Sequence, residues 1–240
     1  MGDLTAARLA AGLEAAADPQ VAAQLARYFK TGAGQYGEGD VFIGVRMGQV
    51  FQLARQFAAM PIDEIERLLD SPVHEVRASG VSIMDKSARL ARTPEDRRRQ
   101  FYELFLRRTD RINNWDLVDL GAPYVVGRYL SDRPRDVLYR LARSDNLWER
   151  RIAIISTLYF VRRGEVTDAL AIAAMLLEDR HDLIHKAAGW ALREVGRRDR
   201  AAQLAFLDRH GASMPRTMLR YAIEHLDADL RAHYLGLRRS

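Results

Sequence analysis

A helix start is predicted within Arg111-Ile112-Asn113-Asn114-Trp115-Asp116-Leu117-Val118-Asp119. The side-chain oxygen of an Asn that precedes a helix can accept a free amide of the first turn, so the Asn pair predicts a helix from residue 114. Residues four apart lie on one helix face, which directs Trp115 and Asp119 to the same side. An indole ring beside a carboxylate can bind a cationic ligand. An acidic residue near a helix start and a Trp at helical spacing are, however, also common in ordinary core helices.

Similar helix starts recur along the chain. Ser71-Pro72, Thr93-Pro94 and Ser144-Asp145-Asn146 each precede an amphipathic run, and Pro is pre-set for a first helical turn. Apolar residues follow helical periodicity almost throughout, and strand periodicity is nowhere convincing. The predicted helical segments are 4–17, 20–31, 46–58, 61–70, 73–91, 94–109, 114–130, 134–143, 147–163, 165–178, 182–197, 199–210, 215–226 and 228–238. Such short, closely joined segments predict an all-α chain of stacked helical hairpins.

These segments also repeat faintly. The aligned stretches are Val76-Arg77-Ala78-Ser79-Gly80, Val118-Asp119-Leu120-Gly121, Arg150-Arg151-Ile152-Ala153-Ile154 and His185-Lys186-Ala187-Ala188-Gly189. In this register Arg77, Asp119, Arg151 and Lys186 are equivalent and follow one another at 42, 32 and 35 residues. These intervals are near the period of roughly 40 residues of helical-pair repeats. The pattern favours a curved α-α superhelix whose concave side carries a row of cations interrupted by one anion, and an accidental register is the alternative.

The length and composition of the chain limit its possible domain organisation, chemistry and cellular location. A chain of 240 residues with 48% hydrophobic content can bury one good-sized core, so we expect a single domain over residues 1–240. The absence of cysteine excludes disulfide scaffolds, thiolate metal sites and thiol nucleophiles. The first segment is amphipathic, with Arg8 and Glu14 among its apolar residues, so we expect neither a signal peptide nor a membrane span. A cytoplasmic protein is the resulting expectation.

The charge balance favours a polyanionic partner. The net charge is +5 and the pI is near 9.7, and cations that neutralise phosphates gain affinity by releasing counterions. Lys30, Lys86 and Lys186 are the only lysines, so arginine carries almost all of the positive charge. The planar guanidinium suits bidentate phosphate contacts, although genomic base composition can produce the same bias.

Two motifs suggest a cofactor or a metal but lack the necessary context. Gly32-Ala33-Gly34-Gln35-Tyr36-Gly37 matches a dinucleotide fingerprint by letter, yet it follows a predicted helix rather than a strand, and we interpret it as a loop. His181 and His185 have the spacing of a zinc-protease helix without a convincing third ligand, which favours a capped helix start. We therefore expect no cofactor and no metal.

Five stretches together resemble a known family over nearly the whole chain, from about residue 28 to residue 234. They are Tyr28-Phe29-Lys30-Thr31-Gly32, Gly37-Glu38-Gly39-Asp40, Asn114-Trp115-Asp116-Leu117-Val118-Asp119, Ser144-Asp145-Asn146-Leu147-Trp148-Glu149-Arg150-Arg151 and Lys186-Ala187-Ala188-Gly189-Trp190-Ala191-Leu192-Arg193-Glu194. As a set they resemble the bacterial DNA alkylation repair family, the AlkD-like glycosylases built from HEAT-like repeats. The sequence departs from the family pattern at Gly48, Phe51 and Asn114, where relatives often have Pro, Arg and a second Trp.

The resemblance implies a curved solenoid that holds duplex DNA on its concave side and hydrolyses the N-glycosidic bond of alkylated purines such as 3-methyladenine and 7-methylguanine. By position it implies that Asp119 is the catalytic carboxylate, that Trp115 and Trp190 are aromatic walls and that Arg151 holds a phosphate. It also implies that the base is not flipped into a deep pocket. The residues expected to contact DNA are Tyr28, Lys30, Arg46, Arg77, Arg150, Lys186 and Arg193. A monomer is expected.

Two other interpretations stay open at this point. One is a non-catalytic repeat protein that binds damaged or branched DNA, which should bind at least as well without the anion at Asp119. The other is a protein-binding scaffold, because helical solenoids often bind peptides. Which lesion is preferred, a small methyl group or a bulky adduct, is equally open.

Overall fold

The computed structural model describes residues 4–237, which form helices joined by loops, the longest of them over residues 29–46. The helices are α1 (Ala6–Glu14), α2 (Pro19–Tyr28), α3 (Met47–Gln56), α4 (Ile62–Asp70), α5 (His74–Arg89), α6 (Glu95–Arg107), α7 (Trp115–Gly121), a π-helical segment (Ala122–Gly127), α8 (Asp136–Leu141), α9 (Leu147–Ser156), α10 (Leu158–Arg162), α11 (Thr167–Met175), α12 (Asp182–Arg198), α13 (Arg200–His210), α14 (Arg216–Ala222) and α15 (Ala228–Gly236). Within the described residues there is no β-strand beyond the isolated bridge between Val41 and Val73. The predicted all-α class is confirmed. No helix in this part of the chain is long and apolar enough to cross a membrane.

The predicted helix starts are set by side-chain caps and by proline. Asn114 Oδ1 accepts the Trp115 amide at 2.8 Å, and Asn146 Oδ1 accepts the Trp148 amide at 2.8 Å. Each bond satisfies an amide that has no partner inside the helix. Pro94 directly precedes α6. Every segment predicted from periodicity contains a helix, and the predicted starts at Asn114 and Asn146 are confirmed. Pro72 and Pro94 were expected in a first helical turn, but they precede α5 and α6 instead.

Two predicted helices are interrupted. The predicted segment 114–130 is α-helical only to Gly121 and then widens into the π-helical turn. Pro123 has no amide hydrogen to donate to the residue four before it, which explains the widening. The predicted segment 147–163 is divided at Thr157 into α9 and α10. The Thr157 hydroxyl donates to the Ile154 carbonyl at 2.6 Å, and such side-chain bonds compete with the helical backbone pattern.

The chain divides into two compact units, Met1–Val125 and Val126–Ser240. In the first unit, α5 packs against α1, α3, α4, α6 and α7. Because helices surround it, α5 buries almost every residue, polar ones included. Gly121 of α7 permits close packing, since a Cβ there would lie 2.3 Å from the Phe105 ring. The position of α7 therefore depends directly on α5 and α6.

In the second unit, α12 packs against α9, α10, α11, α13 and α14. Its apolar face is buried through Ile184, Leu192 and Val195. Each such side chain stabilises the fold by about 1.5–3 kcal/mol relative to exposure. Gly189 allows α14 to approach, because a Cβ there would lie 2.5 Å from the Met218 carbonyl oxygen. The helix that carries Trp190 is thus the central helix of its unit.

Candidate active site

The start of α7 presents the indole and the carboxylate singled out in the sequence. The helix begins at Trp115 after the Asn114 cap, as predicted. Trp115 and Asp119 are both partly buried and lie one turn apart, so their side chains occupy one helix face. A planar π-face and a carboxylate on one face can together stabilise a positive charge.

Aromatic side chains fix the Trp115 ring. Phe29 stacks on it with ring centroids 5.3 Å apart and planes 18° apart, and Tyr28 meets it edge-on at 5.9 Å. The indole Nε1 donates to the Tyr36 hydroxyl at 3.3 Å. Tyr28 is itself 63% exposed, which is unusual for a large aromatic side chain in this protein. The cluster therefore combines a held indole with an aromatic ring open to a ligand.

A buried polar network lies under the start of α7. His74 Nε2 is 2.8 Å from Asp116 Oδ2, and His74 Nδ1 is 3.1 Å from Asp40 Oδ2. Asn114 Nδ2 donates to Asp40 Oδ2 at 2.9 Å. The Arg77 guanidinium binds the other oxygen of Asp40. The network joins the loop after α2 to the first turns of α5 and α7.

This network perturbs the titration of its members. Burial alone would lower the pKa of His74, but the neighbouring carboxylates of Asp116 and Asp40 outweigh it and raise the pKa to about 9. Burial would likewise raise the pKa of Asp40, but His74, Arg77 and Asn114 hold it below its ordinary value. At neutral pH His74 is therefore an imidazolium, and Asp40 beside it is an ionised carboxylate.

The loop between α2 and α3 is anchored separately by Glu75. Its carboxylate accepts the amides of Ile43, Gly44 and Val45 at 3.2, 2.8 and 3.2 Å. Gly44 has φ +87°, and a Cβ there would lie 1.9 Å from the Asp18 carbonyl oxygen, so no other residue fits without rearrangement. The predicted loop over residues 32–37 is confirmed, and the connection that contains it is anchored by Glu75 at residues 43–45.

The predicted cations of the first unit are placed in different environments. Lys30 and Arg46 are exposed, at the end of the Tyr28–Lys30 stretch and directly before α3. Arg77 instead has a side chain only 2% exposed, bonded to Asp40 and to the carbonyls of Ser71 and Pro72 at 3.0 and 3.1 Å. The expectation that Arg77 meets DNA conflicts with this enclosure. Its guanidinium balances a buried carboxylate, which periodicity alone could not reveal.

In the second unit, Trp190 and Arg151 lie on the packed pair α12 and α9. Trp190 is partly buried and its Nε1 donates to Glu194 Oε1 at 3.3 Å on its own helix. Arg151 is 5% exposed, and its Nη1 donates to the Leu183 carbonyl at 2.6 Å. Trp190 and Arg151 are thereby oriented by contacts within the unit that contains them.

The remaining predicted DNA contacts of this unit are ion-paired. Arg150 Nε is 2.6 Å from Asp179 Oδ2, and Lys186 Nζ is 2.8 Å from Asp182 Oδ2. Arg193 pairs with Glu224. Binding a phosphate at any of these side chains would exchange a carboxylate neighbour for a phosphate, which reduces the net gain.

Sequence reasoning missed His74, Asp40, Asp116 and Glu75 as contributors to this region. Two of them, Asp40 and Asp116, fall inside quoted stretches of the family resemblance. Asp116 also directly follows the Trp. A buried network whose hydrogen-bonded pairs are up to 74 residues apart leaves no periodic signal. The His181 cap, in contrast, is confirmed, because its ring accepts the Leu183 amide at 3.2 Å.

Comparison with known proteins gives a consistent result. A family model described as DNA alkylation repair enzyme matches residues 9–226. Among solved structures, a predicted DNA alkylation repair enzyme from Enterococcus faecalis is similar with a TM-score of 0.70 and 17% sequence identity, over 88% of this chain and 97% of that chain. At this identity the structural likeness concerns the fold. No curated protein matches.

Proposed function

We propose, because this chain belongs to the family of DNA alkylation repair enzymes, that it is a DNA glycosylase acting on cationic alkylated purines in duplex DNA. Family membership gives the protein a role in DNA repair. The specific reaction we propose is hydrolysis of the N-glycosidic bond of bases such as 3-methyladenine and 7-methylguanine. The observation that carries this proposal is the face of α7 on which Trp115 and Asp119 lie one turn apart.

The chemistry of such substrates matches a single carboxylate. An alkylated purine is already cationic and leaves readily, so no general acid is required, whereas ordinary glycoside hydrolysis uses two carboxyl groups. As the bond breaks, positive charge develops on the deoxyribose. Asp119 stabilises this oxocarbenium ion and orients the attacking water. The C1′–N bond breaks, the cationic purine leaves as a neutral base, and water adds at C1′ and gives its proton to solvent. Water is therefore the one co-reactant, and the proposal includes no cofactor.

The Trp115 ring adds a second source of stabilisation. A cation over an indole in a desolvated site gains about 2 kcal/mol, which exceeds a tenfold rate increase if the contact strengthens in the transition state. Such a gain requires that the ring be held beforehand. The stacking of Phe29 and the bond to the Tyr36 hydroxyl supply that restraint.

For the second unit we propose that Arg151 binds a backbone phosphate next to the lesion and that Trp190 provides a further aromatic wall. The contact of Arg151 with the Leu183 carbonyl fixes part of its guanidinium, which supports a geometrically defined phosphate contact. We also propose that the lesion is processed without being flipped into a pocket.

Backbone contacts are proposed for the other cations and for one aromatic. They are Tyr28, Lys30, Arg46, Arg150, Lys186 and Arg193. Arg77 is left out because it is enclosed with Asp40. The proposed contacts predict duplex affinity that falls steeply with salt concentration.

The first test is base release from methylated duplex DNA, measured for the wild type and Asp119→Asn at one salt concentration. Asp96→Asn is the matched control, because the Asp96 side chain is 85% exposed on α6. We expect the wild type and the control to release 7-methylguanine and 3-methyladenine. Asp119→Asn should lose roughly 100-fold or more of the rate and keep its duplex affinity, as when one transition-state interaction is removed.

Two results would contradict the proposal. Equal release by the wild type and Asp119→Asn would remove the carboxylate from the mechanism. Absence of release with salt-sensitive duplex binding intact would indicate a non-catalytic DNA-binding protein or an enzyme for bulkier adducts. The latter two differ in whether an adduct larger than methyl is released.

A further inference from the structure

His74 is a buried titratable residue that the proposed chemistry does not use. Its side chain is 1% exposed, and its ring stacks on Phe42 with centroids 4.6 Å apart. It also packs against Phe29 at 5.1 Å, and Phe29 in turn stacks on Trp115. His74 therefore reaches α7 in two ways, through this series of rings and through its bond to Asp116.

The hydrogen bonds around His74 match the protonated ring when both facing carboxyl groups are ionised. Each ring nitrogen faces a carboxylate oxygen, Asp116 on one side and Asp40 on the other. A neutral imidazole has one N–H, so only the imidazolium donates to both. The direction of the pKa shift agrees, since the two carboxylates hold the pKa of His74 near 9.

The charges that face His74 from the surrounding elements balance. Asp40 faces it from the loop after α2, Asp116 from α7, and Arg77 follows one turn later on its own helix. The positive charge of Arg111, which precedes α7, repels that of Arg77. Glu75 is directed to the loop amides instead. With His74 protonated, the inner set of two carboxylates and two cations is neutral, and deprotonation would leave one uncompensated negative charge in a buried site.

We propose that His74, as an imidazolium held between Asp40 and Asp116, is a positioning residue that sets the start of α7 and thereby the orientation of Trp115 and Asp119. This inference rests on the proposed function, because the orientation matters for the reaction on that helix face. The helix has seven residues before it widens into the π-helical turn, so it contributes little rigidity of its own.

Asp116 transmits this effect. One of its oxygens binds His74, and the other is buried and makes no hydrogen bond within residues 4–237. The hydrogen bonding of this carboxylate therefore depends on His74. If His74 loses its proton, a carboxylate faces a ring lone pair and the first turn of α7 moves away. A displacement of about 1 Å in a positioning element can cost roughly 100-fold in rate.

Substitutions that change the hydrogen-bond donors and acceptors at His74 and Asp116 distinguish a positioning role of His74 from simple packing. In His74→Gln, the Gln amide can donate to one carboxylate, but its oxygen faces the other. In Asp116→Asn, a neutral His74 donates from Nδ1 to Asp40 and accepts from the Asn amide, so every group is satisfied without the extra proton. The double variant His74→Gln/Asp116→Asn likewise restores a complementary pair.

The experiment measures single-turnover release of 7-methylguanine and duplex affinity between pH 6 and pH 10. For the wild type we expect the rate to fall near pH 9, where His74 titrates. His74→Gln should lose roughly 10- to 100-fold in rate with its duplex affinity unchanged. Asp116→Asn should keep most of the rate and lose the alkaline fall, and the double variant should recover most of the loss in His74→Gln. His233→Gln, at an exposed position of α15, is the control.

A second readout does not depend on activity. In NMR spectra of the ¹⁵N-labelled wild type, both His74 ring nitrogens should carry protons at pH 7, and the Trp115 indole signal should shift with the same midpoint. Titration of His74 near its ordinary pKa would overturn the inference. A Trp115 indole signal that does not shift when His74 titrates would overturn it as well. If the wild type releases no base, this readout still tests the positioning of Trp115, and only the proposed function fails.

Discussion

Two histidines lie at the starts of the central helices of the two units, α5 and α12, and are in opposite states. His74 is the first residue of α5, and His181 is the cap of α12. His74 donates to two carboxylates and has its pKa raised to about 9. His181 accepts an amide through Nδ1, and burial lowers its pKa despite the nearby Asp179. The same side chain thus supplies a charge in one unit and a neutral acceptor in the other.

The difference extends to the two tryptophans. Trp115 is restrained by the loop after α2 through Tyr36 and by Phe29 at the end of α2. The indole nitrogen of Trp190 bonds to Glu194 of the same helix. The start of α7 is therefore specified by residues distant in sequence, whereas the bond at Trp190 is one that α12 provides itself. The comparison predicts that changes in the buried network will have larger effects than matched changes on α12.

Removing a buried charge should produce the largest difference. Asp40→Ala leaves Arg77 and His74 without one carboxylate in a buried site and should reduce the free energy of unfolding by about 3–5 kcal/mol. Asp182→Ala removes a half-exposed partner of Lys186 and should cost less than about 1 kcal/mol. Urea denaturation of both variants at pH 7 measures the difference. Similar losses would show that the network contributes no more than a surface ion pair.

The pH dependence of stability should be the next largest effect. Because folding raises the pKa of His74 from 6.5 to about 9, its contribution is fully present below pH 6.5 and is lost as the pH rises through 9. The free energy of unfolding should fall by about 3 kcal/mol over this range, and His74→Gln should flatten the fall. The lowered pKa of His181 acts in the opposite sense, since its contribution is lost as the pH falls. Denaturation curves of the wild type and His74→Gln at pH 6, 7.5 and 9.5 test this, and parallel pH profiles would contradict it.

Helix caps should give the smallest contrast. Asn146→Ala removes one cap bond and should cost about 1 kcal/mol. Asn114→Ala removes a cap bond and also the donor to Asp40, so it should cost about 2 kcal/mol. Guanidinium denaturation of the two variants compares them directly. Equal costs would indicate that the bond from Asn114 to Asp40 adds no stability.

Local signals in the sequence predicted most of the secondary structure. Asn114 and Asn146 mark helix starts through their own side chains, and the apolar periodicity marks the faces that are buried. These signals act over one or two turns, so a single sequence contains them. The interruptions at Pro123 and Thr157 were missed because the apolar pattern continues through both positions.

The candidate site was predictable only in part, because its residues differ in what specifies them. The spacing of Trp115 and Asp119 is a property of one helix, and the proposed roles of these residues came with the family resemblance. Arg77 was predicted to face DNA because it occupies a basic position of the repeat. Arg77 is enclosed because it binds Asp40, which is 37 residues away in the chain. The apolar periodicity of the sequence does not indicate such a contact.

By itself, the sequence determined the all-α class, the helix starts and the common face of Trp115 and Asp119, because these follow from hydrogen bonds and periodicities within single helices. Only the tertiary structure decided that His74 lies between Asp40 and Asp116, that Arg77 is buried and that Trp115 is stacked on Phe29. The physical reason is desolvation. Burial brings charges that are distant in the chain into a medium where each needs a partner, and those partners exist only once the helices have packed.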